Sequence, residues 1–156
     1  NMRRRRPEKR TILPDTKYND LSVAKFINYI MESGKKGVAE KIFYGAMDLI
    51  HKKTKTDGIK IFKKGIENTA PSVEVKSRRI GGATYQVPIE VPKKRAFYLA
   101  SLWIINASSN SSGKPMSEKL ASELIAAANG DGNAIKKKED THRMADANKA
   151  FAHFRW

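Results

Sequence analysis

Residues 75–95 read VKSRRIGGATYQVPIEVPKKR, and this stretch decides the architecture of the chain. Two runs of alternating polar and apolar residues flank Gly81 and Gly82, a pair that supplies the positive φ of a tight hairpin turn. Pro88 cannot donate a backbone hydrogen bond, so it is tolerated only in an edge strand. Both strands of an isolated ribbon are edges. The pattern therefore predicts one two-stranded β-hairpin over about residues 72–91.

Helical periodicity surrounds this hairpin. Apolar residues recur at three- and four-residue spacing over 21–33, 36–53, 57–68, 115–128 and 133–156. Asp20 is the predicted N-cap of the first of these helices and Pro115 the first residue of the fifth. Met144, Ala147 and Phe151, with Phe154, are expected on one side of the last segment.

The uncharged segment 96–112 completes the bundle. It is apolar nearly all round, which predicts a helix buried on most sides at the centre of the molecule. Phe43, Phe62, Phe97 and Trp103 fall on apolar stripes and are expected in the core. The predicted fold is mainly α: a bundle of about six helices with one protruding two-stranded β-hairpin and an extended basic N-terminal arm.

The arm is residues 1–19, where seven cations stand against Glu8 and Asp15. Pro7 and Pro14 break any helix, so this segment is expected to become ordered only on an anionic partner. Residues 20–156 form the second unit, the helical domain into which the hairpin is inserted.

Charge narrows the choice of partner. The 156 residues carry a net charge of +15, and so strong a positive excess favours a polyanion: nucleic acid first, then an anionic membrane surface, then an acidic protein. The absence of cysteine excludes disulfides and thiolate metal sites. No apolar run reaches the roughly 18–20 residues of a membrane span, and residues 1–14 lack the apolar core of a secretory signal. A soluble intracellular protein is expected.

The hairpin carries a line of cations. Arg78 and Arg79 stand at its tip, Lys76 and Tyr85 along its shaft, and a cluster of cations at 93–95 follows its base. Such a ribbon can enter a nucleic-acid groove or brace against an irregular RNA surface. The alternative is a hairpin folded back on the helices as ordinary structure. Three aromatic residues near charges are candidates for stacking on bases: Tyr18, Tyr85 and Trp156.

Evidence for catalysis is weak. Glu139, Asp140 and His142 form a short acid–base grouping, but an ion pair between Lys136 and Asp140 on a basic helix explains it better. An RNA-processing enzyme using these three residues is therefore one alternative. Another is an architectural DNA-binding protein whose hairpin enters the minor groove with Ile80 as a wedge. We predict no catalytic residue, no metal site and no cofactor, apart from Mg²⁺ that belongs to the RNA.

Three segments resemble a known family. They are ILPDTKYNDLSVAKFINYIMESGKKGVAEKIFYGA (12–46), VEVKSRRIGGATYQVPIEV (73–91) and KKKEDTHRMADANKAFAHFRW (136–156). In this order they resemble bacterial small-subunit ribosomal protein seven, and the resemblance covers about residues 5–156. It implies a bundle of six helices with a protruding hairpin.

The resemblance also implies a function. A member of that family is a structural protein that binds the 3′ major domain of 16S rRNA directly, nucleates assembly of the small-subunit head, and lies near the tRNA exit site and the mRNA exit channel. Its expected neighbours are small-subunit proteins eleven and nine, with exit-site tRNA and mRNA close by. The implied location is the cytoplasmic ribosome, with no membrane contact and no homo-oligomer.

Carried onto this chain, the resemblance assigns two groups of residues. The implied rRNA contacts are Arg3, Arg4, Arg5, Arg6, Lys9, Arg10, Lys35, Lys36, Lys76, Arg78, Arg79, Lys93, Lys94, Arg95, Lys136, Lys137, Lys138 and Arg143. The hairpin tip that faces tRNA and mRNA is Arg79, Ile80, Gly81, Gly82, Ala83 and Thr84.

Overall fold

A computed structural model describes residues 4–155, so Arg3 and Trp156 lie outside the described residues. The elements are α1 (Leu21–Ile30), α2 (Lys36–Thr54), α3 (Gly58–Thr69), β1 (Val73–Ile80), β2 (Ala83–Glu90), α4 (Lys93–Asn110), α5 (Met116–Ala128), α6 (Asn133–Ala147) and a C-terminal 3-10 helix (Lys149–Phe154). β1 and β2 pair antiparallel. The predicted fold class, a mainly helical bundle with one hairpin, is confirmed.

Three phenylalanines from α1, α2 and α3 form the centre of the core. The ring of Phe26 lies 5.7 Å from that of Phe43 and 5.0 Å from that of Phe62, measured between centroids, and all three are buried. These tilted and edge-to-face contacts stabilise a core beyond the area they bury. Leu120 and Leu124 of α5 are fully buried in the same cluster. Phe43 and Phe62 are core residues as predicted.

Helix α4 is less buried than its composition predicted. It packs against α1, α3, α5 and α6, but only one side, which includes Ala100 and Ile104, is fully buried. Phe97 and Trp103 are half-buried, and Tyr98 is 36% exposed. The prediction of burial on most sides was wrong because a helix can present uncharged Tyr, Ser and Asn to solvent.

The C-terminal segment also differs from the prediction. Instead of one helix, α6 ends at Ala147 and a separate 3-10 helix follows. Met144 is 54% exposed and Ala147 is exposed, whereas Ile135 and Ala145 face the core. The break near Asn148 separates the two phenylalanines downstream from the apolar face of α6, so a single stripe could not continue.

Helices α1 and α5 begin at or next to the residues predicted to start them. Asp20 caps α1, because its side chain accepts the backbone N–H of Ser22 at 2.8 Å. Pro115 occupies the cap position of α5, one residue before the helix, rather than the first helical position.

Asp15 organises the end of the basic arm. Its buried carboxylate accepts the backbone N–H groups of Lys17 at 3.1 Å, Tyr18 at 2.8 Å and Asp20 at 2.9 Å, and the hydroxyl of Tyr44 at 3.2 Å. Residues 15–19 are therefore held by the chain itself, which the sequence analysis did not predict. Residues 4–13 contain neither helix nor strand and are exposed.

Candidate nucleic-acid interface

The hairpin tip projects from the body of the molecule. Gly81 and Gly82 have φ angles of 56° and 85°, which is why a two-residue turn closes directly between Ile80 and Ala83. A Cβ added to either glycine would have nothing within 4 Å. Arg79, Ala83 and Thr84 are exposed beside this turn. The predicted tip is therefore accessible to a partner.

The two arginines near the tip lie on opposite faces of the ribbon. Arg78 pairs with Tyr85 and Arg79 with Thr84, and successive side chains of a strand point to opposite sides. Arg79 is exposed, whereas Arg78 is half-buried and donates a hydrogen bond to the carbonyl oxygen of Phe154. Arg78 thus holds the hairpin against the C-terminal segment. An additional contact of Arg78 with RNA stays a prediction.

An aromatic cluster anchors the shaft of the hairpin. The ring of Tyr85 lies 5.1 Å from that of Phe151 and 4.9 Å from that of Phe154, and Val87 on the same face is fully buried. The shaft therefore leans on the 3-10 helix while the tip projects. Because its ring is occupied within the chain, Tyr85 is a structural anchor more than a platform for bases. Trp156, another stacking candidate, lies outside the described residues.

The base of the hairpin is tied to α4 and α6. Arg95 forms an ion pair with Glu74 at 3.5 Å. The backbone N–H of Ser72 donates to Nε2 of His142 at 3.1 Å, which requires a neutral imidazole. Burial, with a smaller effect of Lys138, lowers the pKa of His142, and Asp146 opposes this shift. His142 therefore positions the hairpin.

The two acidic residues of the proposed acid–base grouping, Glu139 and Asp140, lie in ordinary structural environments. Asp140 pairs with Arg143 at 3.2 Å, rather than with Lys136 as predicted. Lys138 donates to the backbone carbonyl of Asn68 at 2.8 Å and so links α6 to α3. Glu139 is exposed. Nothing in this arrangement activates a nucleophile or a water molecule.

A basic groove runs between α1 and the start of α4. Its lining residues are Leu21, Ser22, Lys25, Tyr29, Lys93, Lys94 and Phe97. Three lysines therefore face one apolar-floored channel, and Lys93 and Lys94 were predicted contacts. Lys25 was not predicted, although its place opposite the buried residues Val23 and Ile27 in the helical period is a signal that could have identified it.

Aromatic side chains lie beside this groove. The ring of Tyr29 lies 5.4 Å from that of Tyr98 in an edge-to-face arrangement, and the guanidinium of Arg95 lies 5.3 Å above Tyr98. Both tyrosines are more than one third exposed. Burial, followed by Tyr98, raises the pKa of Tyr29, so its hydroxyl is a donor at neutral pH. Exposed rings beside cations can stack on bases or sugars. Neither tyrosine was predicted from the sequence.

The other predicted cations are distributed over several surfaces. The exposed ones are Arg4, Arg5, Arg6, Lys9, Arg10, Lys35, Lys36, Lys76, Lys136, Lys137 and Arg143. The structure brings Arg10 of the arm and Lys36 of α2 to one hollow, and Lys76 of β1 to another beside Arg155. Arg3 lies outside the described residues. The predicted cations are thus spread over several separate surfaces.

Residues 4–155 lack two further features. No cluster of three or more His, Asp or Glu side chains is placed to hold a metal ion. None of the helices in that range combines the length and apolar character needed to cross a membrane.

Comparison with known proteins identifies the family. A family model described as ribosomal protein S7p/S5e matches residues 2–149. The chain belongs to the S7p/S5e family. Among curated relatives, small ribosomal subunit protein uS7 of Gemmatimonas aurantiaca is 58% identical over 154 residues, which cover 99% of each chain. The protein of the same name from Thermotoga maritima is 59% identical over 155 residues, covering 99% of this chain and 100% of the relative.

Membership in the S7p/S5e family confirms the resemblance that the three segments indicated. The family is one of structural ribosomal proteins, so this chain is not an enzyme. The RNA-processing hypothesis for Glu139, Asp140 and His142 is thereby excluded. The family also favours RNA over duplex DNA as the partner of the hairpin.

Proposed function

We propose that the chain is a structural rRNA-binding protein of the head of the small ribosomal subunit. It binds the 3′ major domain of 16S rRNA directly and nucleates assembly of the head. Its hairpin tip lies near the tRNA exit site and the mRNA exit channel. Support comes from the S7p/S5e family match and from relatives that are named small ribosomal subunit proteins.

The observation that carries this proposal is the continuity of the basic groove with the hairpin. Helix α4 begins at Lys93, only three residues after β2 ends at Glu90. The ion pair between Arg95 and Glu74 fixes the first turn of α4 against β1. One wall of the groove and the base of the hairpin are therefore parts of one continuous surface.

This surface suits RNA held by its shape and backbone. Lys25, Lys93 and Lys94 can neutralise phosphates and release their counterions. Tyr29 and Tyr98 offer exposed rings and hydroxyl donors beside them. Recognition would then depend on irregular RNA shape, unpaired bases and 2′-hydroxyl groups rather than on a base code read in a groove.

The hairpin extends the reach of this surface. Each strand has eight residues, so the tip lies about 26 Å from the base along the ribbon. Arg79 and the Gly81–Gly82 turn are accessible there, where exit-site tRNA and mRNA would pass. Small-subunit proteins eleven and nine are the proposed protein neighbours in the cytoplasmic ribosome. No membrane contact, homo-oligomer or cofactor is part of the proposal, and any Mg²⁺ belongs to the RNA.

The experiment is a salt titration of binding to a transcript of the 3′ major domain, with duplex DNA as competitor. The test variant replaces Lys93 and Lys94 by alanine. Its matched control replaces both by arginine, which keeps the charge. If both lysines contact phosphates, the slope of log K against log salt becomes shallower by about 1.5 in the alanine variant, since each contact contributes about 0.7–0.9. The arginine variant should keep the wild-type slope.

Two results decide the outcome. Tight binding that duplex DNA does not displace, together with the reduced slope of the alanine variant, supports the proposal. Equal displacement by duplex DNA would leave only a generic polycation and would favour the architectural DNA-binding alternative. An unchanged slope in the alanine variant would remove the groove from the binding surface.

A further inference from the structure

The corner between α2 and α3 is rigidly built. Helix α2 ends at Thr54, and Lys55 adopts a left-handed conformation with a φ of 59° while its N–H bonds to the carbonyl of His51 at 2.9 Å. Helix α3 follows at once, capped by Asp57. A Cβ at Gly58 would lie 2.7 Å from the carbonyl oxygen of Met47, so the start of α3 contacts the backbone of α2 directly. Side chains on this corner therefore have fixed anchor points.

The corner is strongly and almost uniformly positive. Residues 51–65 contain six lysines and a single acidic residue, Asp57. We define the corner patch as the five lysines of this segment that lack an ion pair among the described residues 4–155: Lys52, Lys53, Lys55, Lys60 and Lys64. All five are exposed. The sixth, Lys63, pairs with Asp20 at 2.8 Å.

The composition of the patch indicates which class of partner it binds. None of the large hydrophobic residues in segment 51–65 is exposed. A membrane-bound helix or a stable protein interface would need apolar or aromatic anchors at such a place. A nucleic-acid backbone needs only cations. Lysine ammonium groups are point charges that contact phosphates without the planar fork of arginine, which suits sequence-independent contact along a strand.

The patch is separated from the base of the hairpin. The patch covers the end of α2 and the first two turns of α3, whereas the base of the hairpin follows the end of α3, whose 12 residues span about 18 Å. One strand of a duplex places a phosphate about every 3.4 Å along the helix axis, so this length corresponds to about five phosphates measured along that axis. The few phosphates at the hairpin base cannot also occupy the corner.

We propose that the corner patch is a second RNA-backbone binding surface, which holds a different segment of the same rRNA from the one at the hairpin. This inference rests on the proposed function, because it names an additional contact of the same partner. The protein would then join two RNA segments across α3, and its contribution to assembly would include fixing their separation.

Tethered cleavage tests the proposal directly. The chain has no cysteine, so a single Lys53→Cys substitution gives a unique attachment point for an iron chelate that generates hydroxyl radicals. Arg79→Cys provides the matched probe at the hairpin tip. In a complex with the 3′ major-domain transcript, the Lys53→Cys probe should cleave RNA at positions distinct from those cleaved from Arg79→Cys.

A charge variant gives the second readout. Replacement of Lys52, Lys53, Lys60 and Lys64 by glutamine should make the salt slope shallower by about 3, at about 0.7–0.9 per lost phosphate contact. Replacement of the same four by arginine keeps the charge and should keep the slope. Circular dichroism of both variants checks that the helices are intact.

The outcomes separate this proposal from the proposed function. Distinct cleavage positions and a reduced slope support the corner patch. If the wild-type protein binds the transcript and Arg79→Cys cleaves it, but Lys53→Cys gives no cleavage and the glutamine variant keeps the slope, the corner patch is wrong and the proposed function stands. If the wild-type protein does not bind the transcript, both are overturned. Binding of the patch to anionic vesicles alone would assign it to a membrane surface and would also overturn the proposal.

Discussion

Tyr85→Ala tests whether Tyr85 is a structural anchor of the hairpin or a platform on which RNA bases stack. Its ring contacts those of Phe151 and Phe154 at centroid distances of 5.1 and 4.9 Å. Each aromatic pair contributes about 0.5–1.5 kcal/mol beyond the area it buries. Tyr85 makes two such contacts, and its half-burial limits the further contribution of buried area. Its loss should therefore lower the free energy of local opening of the hairpin by about 2–3 kcal/mol.

The assay is amide hydrogen exchange followed by mass spectrometry, with peptides covering 73–90 for the hairpin and peptides of α2 as an internal reference. A loss of 2–3 kcal/mol corresponds to about 30- to 150-fold faster exchange where the hairpin opens locally. Exchange in α2 should change little. Tyr85→Leu keeps apolar packing against Phe151 and Phe154 and should restore most of the protection.

RNA binding completes this test. If Tyr85 is an anchor, Tyr85→Leu retains nearly wild-type affinity for the 3′ major-domain transcript, and Tyr85→Ala loses affinity only together with hairpin protection. The reasoning is refuted if Tyr85→Ala leaves hairpin exchange within twofold of wild type. A Tyr85→Leu variant with a protected hairpin but a large loss of affinity would show instead that the ring stacks on RNA.

Three further predictions concern stability. Gly58→Ala should lower the free energy of unfolding by about 1–3 kcal/mol in urea denaturation because its Cβ would meet the backbone of α2 at 2.7 Å, whereas Gly45→Ala, whose nearest neighbour would be at 3.4 Å, should be neutral or stabilising. Burial alone would raise the pKa of Asp20, but hydrogen bonds from Lys63 and Ser22 lower it to about 2. Stability from Asp20 is therefore complete above the unfolded pKa near 3.9 and is lost as pH falls towards 2. Because Lys63 is half-exposed, this stabilisation amounts to about 1 kcal/mol. In Asp20→Asn, the urea denaturation midpoint should therefore vary less with pH over that range. Asp15→Ala leaves four donors without their acceptor and should cost about 2–3 kcal/mol by the same denaturation assay, with faster amide exchange confined first to residues 15–20.

Local sequence signals predicted the elements well because local physics determines them. The Gly81–Gly82 pair imposed a two-residue turn, Asp20 capped α1, and the apolar periodicity located the starts of the helices to within a few residues. Where a prediction failed, the helix was present, but the elements that pack against it could not be inferred from its own residues. Tyr98 of α4 contacts Tyr29 of α1, yet it is 36% exposed because the neighbouring helices leave that side of α4 partly uncovered.

The candidate interface could be predicted only in part. The number of lysines and arginines by itself indicates a polyanionic partner, and Lys93 and Lys94 do line the groove. Lys25, Tyr29 and Tyr98 were missed because their importance depends on α1 and α4 lying side by side. These helices are separated by more than sixty residues of chain, and no local spacing encodes that approach.

By itself the sequence determined the helical class, the single hairpin, the polyanionic partner and, through three specific segments, the S7p/S5e family. Charge, turn chemistry and periodicity are properties of short stretches, so they can be read without a fold. Only the tertiary structure decided that Arg78 supports the hairpin while Arg79 is exposed, and that Lys25 lines the same groove as Lys93 and Lys94. Those assignments depend on which face of each element is covered, and long-range packing alone sets that coverage.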